Sequence, residues 1–444
     1  MTPVVIVGGG WAGLAAAIEL THHGVPITLY EASQTLGGRA RSVGEGNNLI
    51  DNGQHLLLGA YREILRLLTL IGVPECKVLD RHVLSLQMQS FQNDTIILRT
   101  LSVLPAPLHL LVGLLTTQGF SLGERFAAIR FCINLALGGF TLKHDLPVKE
   151  WLLQHHQPLS VTRALWEPLC LAALNTPIAY ASAQVFLRVL GDTFSQRRRD
   201  ADLLFTRVPL GDVFPLPAQQ FIEQHGGHVE IGKRVKGLYV RDSSITGIRL
   251  AESDIDAEHV ILAVTPVACQ RLIDAHAELD SLSKQLTQFS YEPICTVYLK
   301  YAPSTSLNRP MLGLIGSHTH WLFDHSHYNK PGYITVVISG PGPHMTMRNE
   351  ELLNSVVKEI AAINPHWPQP EDRYVIREKR ATFSCRVDIN SHRPATTTPV
   401  RGLWLAGDYT NTGYPATLEG AVRSGVESAR KVLVAMGKTI SCPP

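Results

Sequence analysis

Apolar positions along this chain follow two periods, and their alternation predicts its elements. Val4-Val5-Ile6-Val7 is a continuous β-branched run, the pattern of a short strand covered on both faces. Leu14 to Leu20 is alanine-rich with helical spacing, and Val25 to Tyr30 is a second apolar run ending at the acid Glu31. Strand, helix and strand in succession predict a parallel α/β unit. Three later stretches repeat the strand pattern: Gly226-Gly227 turns into His228 to Val235, Val260 to Val264 is a buried run stopped by Pro266, and Gly402 to Leu405 is short. The greasiest stretch, Leu101 to Thr117, contains Pro105, Pro107 and His109 and falls short of the roughly 20 apolar residues that a spanning helix needs. It suits the wall of an apolar tunnel and an ordinary core helix equally.

Between the first strand and its helix stands Gly8-Gly9-Gly10-Trp11-Ala12-Gly13, a Gly-x-Gly-x-x-Gly turn. Gly8 permits the turn, Gly10 lets a pyrophosphate approach the backbone, and Gly13 lets the helix pack on the strand with its N-terminus facing the phosphates. Glu31, eighteen residues past Gly13, can accept hydrogen bonds from ribose hydroxyls. An acid there favours a dinucleotide with a free 2′-hydroxyl over one with a 2′-phosphate. No second such motif follows a predicted strand, so reducing equivalents, where needed, come from an external reductant.

Size changes this picture, because 444 residues exceed what one core usually organises and predict two domains or one large interleaved architecture. A hydrophobic share of 45% with 18% charged residues suits a globular enzyme. A formal charge of +2 without basic repeats weighs against nucleic acid, and Arg197-Arg198-Arg199 is expected to be a solvated face or a contact to a membrane surface. Cys76, Cys132, Cys170, Cys269, Cys295, Cys385 and Cys442 are scattered and never spaced as CxxC, which argues against a disulfide framework and for a reducing cytosol. The apolar N-terminus lacks a basic start and is broken by glycines, so it is expected to belong to the fold rather than to a signal peptide.

Two segments identify the dinucleotide. Glu31-Ala32-Ser33-Gln34-Thr35-Leu36-Gly37-Gly38-Arg39-Ala40-Arg41 resembles the Gly-Gly-Arg extension of the amine oxidase and carotenoid desaturase flavoprotein superfamily. Ala406-Gly407-Asp408-Tyr409, with Gly413 to Gly425, resembles that superfamily's C-terminal motif. The resemblance implies bound FAD, contacted by Gly8, Gly10, Ala12, Gly13, Glu31, Ala32, Gly38 and Arg39. By the same resemblance Gly407 and Asp408 bind the ribityl-phosphate region, Thr417 and Leu418 open a helix aimed at the flavin, and Val235 meets adenine through its backbone. Read from the residues alone, Arg39 and Arg41 fit a surface pair and Val235 a strand core. Asn411-Thr412-Gly413-Tyr414 holds no cysteine, so the FAD is expected to be noncovalent.

The implied fold is α/β: a Rossmann-type FAD-binding domain with a glutathione-reductase-like parallel sheet, interleaved with a mixed α+β substrate domain, as in amine oxidases. Segments 1–75, 200–265 and 395–444 are expected to form the first, and 76–199 with 266–394 the second.

Asp51-Asn52-Gly53-Gln54-His55, together with Trp166 to Thr176, resembles the hydroxysqualene dehydroxylase branch. That branch implies an isoprenoid substrate, hydroxysqualene, reduced by hydride from flavin, with Gly53, Gln54 and His55 beside the cofactor. It also implies a cytoplasmic protein in peripheral contact with the inner face of the cytoplasmic membrane. Desaturation of a carotenoid, amine oxidation and a noncatalytic prenyl-binding role on the same fold are the alternatives.

His55 is the candidate catalytic residue, as proton donor or as a group that orients its loop. Asp51 suits a turn cap, and Lys300 an exposed strand end. His318 and His320 on one strand face, near His325 and His327, invite a metal, yet no cysteine or acidic set beyond Asp324 completes a site, and none is expected.

Overall fold

A computed structural model describes residues 2–44, 50–92, 94–328 and 330–438, apart from the side chain of His327. Cys442 lies outside the described residues, and the other six cysteines are free thiols.

Five strands form a parallel sheet in the order His228–Glu230, Ile27–Tyr30, Val4–Val7, Val260–Leu262, Leu403–Leu405. Val4–Val7 is central and buried on both faces, as its unbroken apolar run requires. The second strand starts at Ile27 rather than Val25, because the Val25 N–H is spent closing the preceding helix on Leu20 O. Helix Trp11–His22 packs on this sheet through Leu14, Ile18 and Leu20. A Cβ on Gly13 would lie 1.9 Å from Gly8 O, so the helix sits closer to the turn than any side chain permits.

A second, seven-stranded sheet is mixed: Asp372–Phe383, Tyr291–Lys300, Tyr333–Ser339, Trp321–Asp324, Met311–Ile315, Ser85–Ser90, Thr95–Arg99. Alternation gives its faces different tasks. Val297, Leu299, Ile334 and Val336 pack on helix Asn349–Ile363. The opposite face carries Thr296, Tyr298, Thr335 and Val337, and Tyr298 reaches the loop at Asp51 and Gly53. A small antiparallel sheet, Leu56–Leu58, Leu203–Thr206 and Leu79–His82, joins segments on either side of the expected domain division.

Several expectations change in three dimensions. Within Leu101–Thr117 the helix begins only at Leu108, and Leu101 and Val103 are exposed ahead of it. The arginine run is not simply solvated: Arg197 and Arg199 are exposed, but Arg198 turns in to pair with buried Asp202 at 2.9 Å. His318 and His320 precede the strand Trp321–Asp324 instead of lying in it, and the His320 ring accepts from Ser339 N–H. Among the described residues no group of three metal-binding side chains comes together.

Candidate active site

The glycine turn is built by the sheet. Gly8 N–H bonds Tyr30 O, and helix Trp11–His22 starts from Gly10 with no side-chain cap and no acid in its first turn. Its leading N–H groups and positive end are therefore left for an anion. Gly37 N–H bonds Gly9 O, and a Cβ on Gly10 would meet only Gly38 Cα, at 3.9 Å. The two glycine turns thus pack directly against each other, bridged at Gly10 and Gly37, and a Cβ on Gly38 would lie 3.2 Å from Gly10 Cα. Ala12 is buried in the helix, whereas Ala32 is exposed.

Glu31 stands beside the first of these turns. Its Oε2 accepts from Gly9 N–H and its Oε1 from Ser33 N–H, both at 2.7 Å. Lys233 N–H bonds Glu31 O, which brings the segment holding the buried Val235 alongside.

Arg39 joins the two ends of the chain. Its guanidinium donates to Asp408 Oδ1 at 2.7 Å and to Ala381 O at 2.8 Å. Asp408 is buried, Gly407 N–H bonds Ser424 Oγ, and Thr417 caps helix Leu418–Ala435 by accepting from Gly420 N–H. Asn52 donates to Arg39 O at 3.3 Å and so leads from this centre to Gly53, Gln54 and His55. Burial holds the His55 ring down to about 4, opposed by a hydrogen bond with the Asn52 backbone and aided by the Arg39 charge. At pH 7 this imidazole is neutral, so it can orient or hydrogen-bond but is not an imidazolium acid. Asp51 Oδ1 accepts from Ser42 Oγ and from Leu210 N–H, 159 residues on, so its side chain ties separate segments together instead of capping its own turn. Lys300 is exposed at its strand end.

Three further residues organise this region through long-range contacts. Tyr298 OH donates to Asp51 O at 2.6 Å and accepts from Gly53 N–H at 3.2 Å, which fastens the loop to the large sheet. Buried Arg393 bonds the carbonyls of Asp408 and Tyr414. Buried Glu419 accepts from Glu63 and Ile64 N–H. Each acts on partners distant in sequence; Tyr298 and Arg393 lie in no motif read from the chain, and Glu419 lies within Gly413–Gly425 but nothing local announces its contact with Glu63 and Ile64.

Two cavities open among the described residues, and the second touches the Asp51–Gln54 loop. One, of about 500 Å³, runs between helices Leu108–Leu115 and Leu122–Leu137 and the strand residues Leu86 and Leu98, and no charged side chain lines it. The other, of about 130 Å³, is polar and includes Asp51, Gln54, Tyr298 and Thr335.

The family model of flavin containing amine oxidoreductases matches residues 11–433. The chain belongs to this flavin containing amine oxidoreductase family. It is an FAD-dependent oxidoreductase, and the anion-ready helix end, the paired glycine turns and the placement of Glu31 suit that cofactor. Similar proteins include a hydroxysqualene dehydroxylase of Sinorhizobium fredii, 28% identical over 96% of this chain and 97% of the relative. Another, from Zymomonas mobilis, is 26% identical over 97% and 98%. A 15-cis-phytoene desaturase of an Oncidium hybrid is 23% identical over 99% of this chain and 79% of its own length. In fold the chain resembles a putrescine oxidase variant, at TM-score 0.74 and 13% identity over 97% of this chain and 99% of that one.

Burial also holds His320 and His325 at about 4, as it does His55. The unfolded chain, with imidazoles near 6.5, takes up protons that the native state refuses. Stability is expected to be retained above pH 6.5 and to fall as pH drops from about 6.5 to 4. Urea unfolding across that range, with His325→Gln lowering the slope by about one proton, checks this.

Proposed function

We propose that this enzyme reduces hydroxysqualene to squalene, removing an allylic hydroxyl, in bacterial squalene and hopanoid biosynthesis. The observation that carries the reading is the uncharged cavity of about 500 Å³, in a chain whose near full-length relatives include hydroxysqualene dehydroxylases. An allylic cation survives only where water is excluded, and leucine-lined walls exclude it.

Gly10, Gly13 and the helix end behind them would hold the FAD pyrophosphate, Glu31 and Val235 the adenosine half, and Arg39 with Asp408 the middle. Gly53, Gln54 and His55, with Thr417 and Leu418, would flank the flavin ring; Ala12, Ala32, Gly38 and Gly407 complete the lining through their backbone. Bound and reduced, FAD supplies a hydride; it is recharged by an external reductant. His55, neutral at pH 7, orients its loop and hydrogen-bonds the leaving oxygen. Desaturation of a carotenoid is the second reading, favoured by the likeness to phytoene desaturases, and it runs hydride in the opposite direction.

No described helix is long and apolar enough to cross a membrane. Peripheral contact through the substrate side is supported by exposed Leu101, Val103, Leu122, Phe126, Ile133 and Leu137, the last two of which also line the apolar cavity.

Anaerobic mixing of photoreduced holoenzyme with hydroxysqualene is expected to reoxidise the flavin and yield matching squalene; reduced flavin that persists would sink the reading. Arg39→Ala is expected to raise the FAD dissociation constant about 10- to 100-fold in a fluorescence titration, from the loss of a charge-assisted contact. Sedimentation with liposomes is expected to capture the protein, and replacing Val103, Phe126 and Leu137 by serine to release most of it.

A further inference from the structure

Helix Leu122–Leu137 is apolar on both sides. Ala128, Phe131 and Leu135 are buried in the core. At about 100° per residue, Leu122, Phe126, Ile133 and Leu137 fall together on the opposite side. All four are exposed, Leu137 by 82%. A surface helix ordinarily turns polar residues outward, and one that is apolar all round is ordinarily covered. The outward stripe therefore calls for an apolar partner.

Cations rim this stripe. Arg130 stands one turn beyond Phe126 and Arg125 one turn beyond Leu122, so the two flank it on either side. Arg99 ends the strand Thr95–Arg99 against Gly113 of helix Leu108–Leu115, and Lys143 follows the turn that closes the longer helix. Arg125 donates to the carbonyls of Phe120 and Leu115, and none of the four bases pairs with a carboxylate among the described residues. Segment 99–144 holds these four bases and one acid, Glu124, a net +3 in a chain whose formal total is +2. The rest of the chain is thus slightly negative, and its positive charge is gathered around the apolar stripe.

We propose that this helix docks flat on an anionic phospholipid surface, its apolar stripe in the acyl boundary and its flanking arginines on the headgroup phosphates. The proposal rests on the peripheral-contact reading above and adds to it the docking helix and the headgroup chemistry. Phosphates supply the counter-charge that the rim lacks, acyl chains cover the stripe, and the apolar stems of arginine span from one layer to the other. A second copy of this chain suits the face less, because two-fold pairing brings the same unpaired cations together. Ile133, Ala136 and Leu137 of this helix also line the apolar cavity. Docked on lipid, that side of the cavity meets the phase in which an isoprenoid is dissolved.

The test is co-sedimentation of the FAD-loaded protein with vesicles of phosphatidylcholine alone or with about one-third phosphatidylglycerol, at low and at physiological salt. The anionic vesicles are expected to bind at least about tenfold tighter, the gap narrowing as salt rises. Arg130→Gln and Lys143→Gln, both at exposed positions, are each expected to weaken binding to anionic vesicles about fivefold and to leave binding to neutral ones unchanged. Lys358→Gln removes the same charge from the exposed side of helix Asn349–Ile363, on the other face of the large sheet, and is expected to change neither. Fluorescence of Phe126→Trp is expected to be quenched by brominated acyl chains in the anionic vesicles. Equal binding to both vesicles, or a loss with Lys358→Gln as large as that with Arg130→Gln, overturns the anionic assignment while peripheral contact stands. Binding to neither, or a vesicle-free dimer that Leu137→Glu dissociates, overturns both.

Discussion

The ion pair between Arg39 and Asp408 closes this molecule. It links residues 369 positions apart, at 2.7 Å, with the carboxylate buried and the guanidinium partly so. A buried carboxylate without its partner carries an uncompensated desolvation cost, so both ends of the chain must arrive for either motif to be stable. Asn52 extends the pair to the loop bearing Gly53, and Arg393 extends it to the turn before helix Leu418–Ala435. Around this knot the glycine turns, Glu31 and the C-terminal motif acquire a common geometry.

The large sheet divides labour by the simple alternation of its side chains. One face is an apolar seal against helix Asn349–Ile363; the other presents hydroxyls and rings toward the loop at Asp51 and Gly53. Tyr298 stands at this boundary, and its single hydroxyl both donates and accepts, so it sets the height of the loop above the sheet. Polar and apolar cavities consequently occupy different ends of one interior face. Leu86 and Leu98 belong to the apolar cavity toward one edge, and Tyr298 and Thr335 belong to the polar one toward the other.

The exposed leucines around Leu101–Leu137 and the cavity behind them are one continuous apolar surface, since Ile133 and Leu137 belong to both. A protein that hid this surface would also close the cavity mouth. Accessible apolar residues here therefore follow from the same constraint that makes the interior dry.

Much of this was legible in the chain. Val4–Val7, the Gly8–Gly13 turn, Glu31 and the strands at 260 and 403 carry local signals, because backbone sterics and apolar periodicity act over a few residues. The sequence by itself determined the parallel sheet, the dinucleotide turn and the FAD class of chemistry. Only the tertiary structure decided that Arg39 meets Asp408, that Tyr298 fastens the loop at Asp51 and Gly53, that Arg198 turns inward, and that His55 is neutral. Those outcomes depend on contacts between residues far apart in the chain and on exclusion of water, and neither leaves a periodic trace in the order of residues.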